Sequence, residues 1–330
     1  ARARLEPLTD RAPFGGGIWW DLVMRESDRM TLEVVLAAAR CGAVVANRVE
    51  ALALCESAGR VAGVVVRDLQ TSREFDVRAR FVIDATGPWA GRLAGPGLPA
   101  PVGLQRRWVG GLNLVLDRNL GHDCALALTA EVQGRRRELF FVPWQGVTMI
   151  GTHYVPVPGP EPQAPRAAVD EFLGIVARVA PRVRIGASDI ARVHWGVLPC
   201  AQGSDLDPAG QPVVAIGREA TGRDGHALVI GEKYTSAPIV ARSVIGRVAA
   251  ILGAPRVSGP AAERGIASGS PAARTSAGTR DSIAERIRRP VDAAEVRHAI
   301  RDEMALSLGD IVERRLGLGE RGSPGLEVLR

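Results

Sequence analysis

The segment Phe81-Val82-Ile83-Asp84-Ala85-Thr86-Gly87-Pro88-Trp89 constrains the fold more than any other stretch of the chain. A β-branched and aromatic run stops at small residues, and Pro88 has no N–H to give to a sheet. The pattern predicts a buried strand whose carboxyl end opens into a crevice, where open α/β sheets bind their ligands. Small side chains at 85–87 would let a large cofactor lie directly against the backbone. A core strand running into a helix is the plainer reading, and the wider sequence decides between the two.

Before this strand, Asp28 is placed to cap a helix to about residue 40, with Met30, Val34, Val35 and Ala38 on one apolar face. Residues 43–46 and 49–54 are strand-like, and 61–66 with 73–77 predict a hairpin. From 105 to 151 strand follows strand (108–116, 125–132, 138–142, 147–151) with no long helix, which predicts an antiparallel second domain. A helix over 167–180 and strands over 191–197, 213–217 and 226–230 come next. A helix over 237–252 tolerates Pro238 in its first turn. The stretch 253–278, rich in Ala, Gly, Ser and Pro, reads as a linker. Asp292 with Glu295 then forms a capping-box start, and Val296, Ile300, Met304, Leu308 and Ile311 follow at helical spacing.

Four stretches in this order resemble the FAD-dependent glycerol-3-phosphate dehydrogenase family, within the glutathione-reductase-type flavoproteins. They are Ala85-Thr86-Gly87-Pro88-Trp89; Phe140 to Trp144 with Thr148 to Thr152; Gly231-Glu232-Lys233-Tyr234-Thr235-Ser236; and Glu295-Val296-Arg297 through Met304 and Asp310 to Arg315. Together they run from about residue 18 to about residue 319. The resemblance implies an α/β fold: an incomplete FAD-binding domain (1–104 and 213–253), an antiparallel substrate domain (105–212), a linker (254–280) and a helical C-terminal domain (281–330). It implies oxidation of a secondary alcohol by hydride transfer to FAD, with electrons passing to a quinone or another acceptor. By analogy, Val49 contacts adenine, Ala85, Thr86, Gly87 and Trp89 flank the ADP portion, and Gly231, Lys233, Tyr234 and Thr235 form the flavin loop.

A FAD domain of this type opens with a strand and G-x-G-x-x-G, whose helix N-terminus holds the pyrophosphate. Gly15-Gly16-Gly17 has no strand before it, and Gly317-x-Gly319-x-x-Gly322 follows a helix, so neither supplies that opening. The expectation is a chain shortened at its N-terminus, or one completed by a neighbouring polypeptide.

Lys233 is the only lysine among 42 Lys and Arg residues. Its compact ammonium, which arginine does not mimic, suits negative charge developing on reduced flavin or a substrate oxygen. Departures from the family also matter. Its Gly-Val-Arg-Pro signature reads Gly196-Val197-Leu198-Pro199, and leucine cannot grip a phosphate. Its Lys-Gly-Ser-His stretch reads Gly110-Gly111-Leu112-Asn113, and its Gly-Thr-Thr-Asp reads Gly151-Thr152-His153-Tyr154. His153 and His194, expected at the ends of neighbouring strands, are the two candidates for general base, against the plainer reading of hydrogen-bonded structural histidines. An amine or hydroxy-acid oxidase of the same fold, favoured by Leu198, and an inactive remnant serving as an interaction module are the alternatives.

The net charge of +6 reflects scattered arginine pairs and triplets without interleaved aromatics, which argues against nucleic acid as a partner. Four cysteines lie far apart with no C-x-x-C, so neither a metal cage nor a disulfide framework is expected. With no signal-like apolar run, the sequence reads as cytoplasmic, and peripheral contact with the inner membrane stays open. H-E-x-x-H, G-x-S-x-G and P-loop patterns do not occur, which removes the hydrolase, zinc and nucleotide-triphosphatase readings.

Overall fold

The computed structural model describes residues 8–9, 16–94, 107–160, 163–231, 233–255 and 291–321. The linker expected over 254–280 lies, from residue 256 on, outside the described residues, as do Gly15, Glu232 and Gly322. Three sheets organise the rest.

Helix α1, Ser27–Arg40, leads into the first sheet, in which β1 (Val49–Ser57), β2 (Arg60–Asp68) and β3 (Glu74–Arg78) form an antiparallel meander. The expected 61–66/73–77 hairpin is there, Val64 pairing with Val77. Two local expectations are corrected. Residues 43–46 form no strand: Val44 is fully exposed, and with no neighbouring strand to pair with, an apolar run stays irregular. Asp28 sits inside the first turn of α1, and the cap position is held by Glu26, whose side chain does not cap the helix. The buried residues of α1 are Leu32 and Ala37, whereas Met30 and Val34 are exposed. Arg29 pairs both with Glu33 on its own helix and with Glu303, far along the chain.

β4 (Val82–Asp84) pairs in parallel with β11 (His226–Ile230), which in turn pairs antiparallel with β10 (Val213–Ile216). The strands ending at Asp84 and Ile230 share one sheet, in which Leu228 faces Asp84 across the ladder; the sequence predicts a mostly parallel sheet here, whereas one of its two pairings is parallel and the other antiparallel. A four-residue helix, α3 (Arg218–Thr221), joins β10 to β11, and α4 (Ala237–Ile251) follows β11.

Between β4 and β10 the chain builds a five-stranded antiparallel sheet in the order β6-β7-β8-β5-β9. Its strands are β5 (Trp108–Leu116), β6 (Leu126–Val132), β7 (Arg135–Trp144), β8 (Val147–Val157) and β9 (Ile190–Pro199). Helix α2, Arg166–Val179, covers one face with Val169, Phe172, Ile175 and Val176, which close the main core against Leu112, Leu114, Phe141 and Ile150. Period-two alternation leaves the other face of each strand for the site.

The C-terminal region is not one continuous helix. α5, Ala293–Arg301, starts with the expected box, Asp292 accepting from the Ala294 N–H and Glu295 accepting from the Asp292 N–H. It stops before Met304, which has φ of 58°, and residues Asp310–Arg315 form a separate wide turn. Ile300 and Leu308, expected on a common apolar face, are exposed. Polar contacts hold this region to α1 and β1: Arg29 to Glu303, Arg48 to Asp310 at 2.8 Å, and the Asn47 amide to the Met304 carbonyl at 2.7 Å.

Candidate active site

Along β9, Val193, Trp195 and Val197 turn toward the core, so Arg192, His194 and Leu198 occupy the opposite face. On β5 the same alternation buries Leu112 and Leu114 and turns Asn113 outward, directly across the ladder from His194. Val109 pairs with Leu198 further along. Two of the positions at which the chain departs from the family, Asn113 and Leu198, thus share one face with His194.

Asn113 is seated by its neighbours. A Cβ on Gly151 would fall 1.6 Å from Asn113 Oδ1, so only glycine lets the carboxamide lie there. Thr152 Oγ1 donates to Asn113 Oδ1 at 2.9 Å. The His194 ring meets Trp144 edge to face, with centroids 5.5 Å apart and planes at 88°, and Trp144 Nε1 donates to the Met24 carbonyl at 3.2 Å. Burial, and then the Arg192 guanidinium, press the His194 pKa below that of a free imidazole, while a backbone contact with Glu320 and the Asp28 carboxylate pull the other way. The net result is a ring kept neutral, in the form that can accept a proton.

His153 and His194 both lie within strands rather than at strand ends, and β5 separates them. They pair with consecutive residues of β5, Leu112 and Asn113, and so point to opposite faces. His153 faces the core, stacked on Phe172 at 5.1 Å, with Nε2 3.6 Å from Glu171 Oε2. Burial lowers its pKa against the pull of Glu171. A cavity beside it is lined by Leu139, Thr152, Phe172 and Ile175.

The edge that would hold a dinucleotide is set by the parallel pair. β4 and β11 run the same way, so the segments that begin at Ala85 and at Gly231 leave the sheet at the same end. Buried Asp84 shapes the first loop: Oδ1 accepts from the Thr86 N–H at 3.1 Å and from its hydroxyl at 2.6 Å, and Oδ2 accepts from the Gly91 N–H at 2.9 Å. Ala85 and Thr86 are exposed as a result, and Gly87 takes φ of 62°, which glycine adopts without strain. Gly231 is exposed, with open space where a side chain would stand. Trp89, Tyr234 and Val49 present apolar surface to solvent, and Lys233 and Thr235 are exposed. Thr31 Oγ1 on α1 donates to the Tyr234 hydroxyl at 3.4 Å, and the Lys233 carbonyl accepts from the Ser236 and Ala237 N–H groups that begin α4. Bare backbone at two adjacent strand ends, flanked by flat apolar side chains and one ammonium, fits a flat anionic cofactor such as FAD.

The two halves meet. The turn Gly87–Trp89 packs against both β9 and β11, so the substrate sheet and the β10-β11-β4 sheet adjoin at this turn. The sequence reading missed Asp84 as the organiser of that loop, although an Asp two residues before a Thr is a local signal for such a turn. It also missed Trp144, Thr152 and Arg192, which come to His194 and Asn113 only through sheet pairing and tertiary packing.

Comparison with known proteins agrees with this architecture. A family model described as FAD dependent oxidoreductase matches residues 1–247. The chain is 31% identical over 194 residues to alpha-glycerophosphate oxidase of Streptococcus pneumoniae, covering 58% of this chain and 32% of that protein. It is 30% identical over 250 residues to glycerol-3-phosphate dehydrogenase 2 of Mycobacterium tuberculosis, covering 73% of this chain and 40% of that protein. The fold matches a solved glycerol-3-phosphate dehydrogenase from Bacillus halodurans, complexed with FAD, with a TM-score of 0.68 and 21% identity, over 88% of this chain and 64% of that one. The chain therefore spans 32% and 40% of the length of these two curated relatives. With three quarters of its residues inside the family model, the chain belongs to the FAD dependent oxidoreductase family.

Proposed function

We propose that the protein is a FAD-dependent dehydrogenase acting on a secondary alcohol of the glycerol 3-phosphate type. The observation that carries this reading is the junction of the Gly87–Trp89 turn with β9, which sets the strand bearing His194 and Leu198 beside the element that follows the β4 strand end. In this reading the β10-β11-β4 sheet is part of a glutathione-reductase-type FAD domain, made of 1–104 and 213–253. Residues 105–212 form the substrate domain and 281–330 the helical one. Val49, Ala85, Thr86, Gly87 and Trp89 flank the ADP portion, and Gly231, Lys233, Tyr234 and Thr235 lie by the flavin.

FAD, when bound, supplies the two-electron acceptor for the hydrogen on the alcohol carbon. Neutral His194 takes the hydroxyl proton at a ring nitrogen, and Lys233 offsets the negative charge that builds nearby. Asn113, held by Thr152, orients a substrate hydroxyl through its amide N–H. His153, on the core face, takes no part. Electrons leave to a quinone or another acceptor, at a peripheral membrane surface or in the cytoplasm. No described helix is long and apolar enough to cross a membrane.

The test is anaerobic bleaching of the FAD-reconstituted protein by a panel of secondary alcohols that includes glycerol 3-phosphate. The reading expects bleaching by an alcohol, slowed roughly 10²–10⁴-fold in His194→Asn. Bleaching by amino acids or hydroxy acids alone would instead support the oxidase alternative, which the half-buried leucine at 198 favours.

A further inference from the structure

The ladder between β7 and β8 ends at the Phe140–Gly151 pair, although both strands run on. Beyond it β7 stays with β6 as far as Arg135, and β8 stays with β5 as far as Val157. The two halves of the sheet therefore part, and the cavity beside His153 lies in the opening, lined by residues 137–139 on one side and 152–154 on the other. Ala130 and Val132 of β6, Leu139 of β7, and Phe172 and Ile175 of α2 give it apolar walls. Leu206 adds to them from a loop that Asp207 ties to Arg135 and Arg137 of β7. His153 is only 4% exposed, and its Nε2 has no hydrogen-bond partner among the described residues. Glu171 Oε2, at 3.6 Å, is out of hydrogen-bond reach. A buried polar nitrogen left unmatched is costly, and native folds nearly always supply a partner for one.

The rest of the lining decides what fits. Arg137 is paired with Asp207, and Thr152 Oγ1 is already given to Asn113. Glu138 and Glu171 sit at the exposed rim. An ionic ligand would exchange its hydration for apolar walls and gain no counter-charge between them. A hydroxyl both donates and accepts, so it matches a neutral imidazole nitrogen in either tautomer. Burial keeps His153 neutral against the pull of Glu171. We propose that this opening is a second ligand site, which takes a short-chain uncharged alcohol with its hydroxyl on His153 Nε2 and its alkyl chain against Leu139, Phe172 and Ile175. It is distinct from the His194 face, to which His153 points oppositely across β5. Thr152 touches both, lining this opening and holding Asn113 on the other face. The site stands apart from the proposed oxidation and needs no flavin.

The experiment titrates 1-butanol into the full chain labelled with ¹⁵N-histidine and follows it by NMR. His153 is identified by its contacts with the Phe172 ring, and His194 by its absence in His194→Asn. The expected result is a saturable shift of the His153 ring nitrogens, with nuclear Overhauser contacts from the butanol methyl group to Ile175 and no saturable shift of His194. His153→Phe, whose ring can still stack on Phe172 but offers no nitrogen, should bind butanol about 3- to 10-fold more weakly. Ala130→Val adds bulk to the wall while leaving His153 in place, so it should weaken binding too, and it carries the test if His153→Phe does not fold. Contacts from water alone at the His153 ring would overturn the site, as would shifts that rise without saturating or a response confined to His194. Wild-type affinity in a folded His153→Phe protein would equally overturn it.

Discussion

Gly110 lies on β5 under the indole of Trp195, and the geometry there sets the cost of the smallest substitution. A Cβ at 110 would stand 1.8 Å from Trp195 Cη2, 2.4 Å from Cζ2 and 2.6 Å from Cζ3. Ordinary contact begins near 3.4 Å, so in Gly110→Ala the ring must retreat by about 1.6 Å (3.4 − 1.8). Trp195 packs on the core that contains Leu112, Phe172 and Val176, so it has little room to retreat. Overpacking of this kind costs about 1–3 kcal/mol, roughly 2–4 °C of melting temperature per kcal/mol in a chain of this order of size. Because Trp195 adjoins His194, the shifted strand should also lower kcat. Thermal and urea unfolding of Gly110→Ala, Trp195→Leu and the double variant measure the coupling. The double variant is expected to be more stable than the sum of the singles predicts, by about 1 kcal/mol or more. Loss of less than about 0.5 kcal/mol in Gly110→Ala, or strict additivity, would refute the packing argument. Trp195 occupies the space that a side chain at 110 would need, so placing the family's lysine there would fail unless residue 195 changed with it.

Leu198→Arg should lower KM for glycerol 3-phosphate about 10-fold or more, through one charge-assisted contact of roughly 1.5–3 kcal/mol, while leaving uncharged alcohols nearly unaffected; equal effects on both substrates would show that residue 198 does not face a phosphate. Asp84→Asn keeps acceptors for Thr86 but loses the one for the Gly91 N–H, so FAD affinity should fall several-fold with unfolding weakened by about 1–3 kcal/mol. Titration of FAD followed by flavin fluorescence reads that loss, and unchanged binding would remove Asp84 from loop control. His153, His194 and His226 all have pKa values pressed below 6.5 by burial. The unfolded chain therefore binds more protons than the native one once the pH drops below about 6.5, so stability should be level above that pH and fall below it. His226→Asn should flatten the decline in urea midpoints between about pH 6.5 and 5, and an unaltered slope would mean that His226 is protonated in the fold.

The cofactor edge was the most legible part of the fold, because strand signals and the small residues after them are local. The run ending at Asp84 and the run ending at Ile230 each announce a strand, and both need the same sheet end. The antiparallel sheet was equally readable from alternation, and it gained β9 as a fifth strand through Asn113–His194 pairing. Which histidine faces which side was not readable, because a β-strand changes face with each residue and the bulge near Leu112 and Leu114 is set by pairing. Residues 43–46 misled for a related reason, since strand propensity has no effect without a partner. The helical spacing from Val296 to Ile311 misled because spacing does not reveal a break such as the positive φ at Met304. Arg192 carried no signal at all, since its partners lie 121 and 127 residues away.

The tie between Arg29 and Glu303 bears on how the chain is made. Its two ends are 274 residues apart, and Glu303 is almost wholly buried. At ribosomal speeds of about 5–20 residues per second, α1 emerges roughly 14–55 s before its partner. Through that interval Arg29 has only Glu33, one turn along its own helix. Closing so long a loop is paid for in chain entropy and comes late. Packing of the C-terminal turn Leu318–Arg321 against β9 therefore follows its release from the ribosome, and until then Arg29 and Arg192 lack their C-terminal partners, Glu303 and Glu313.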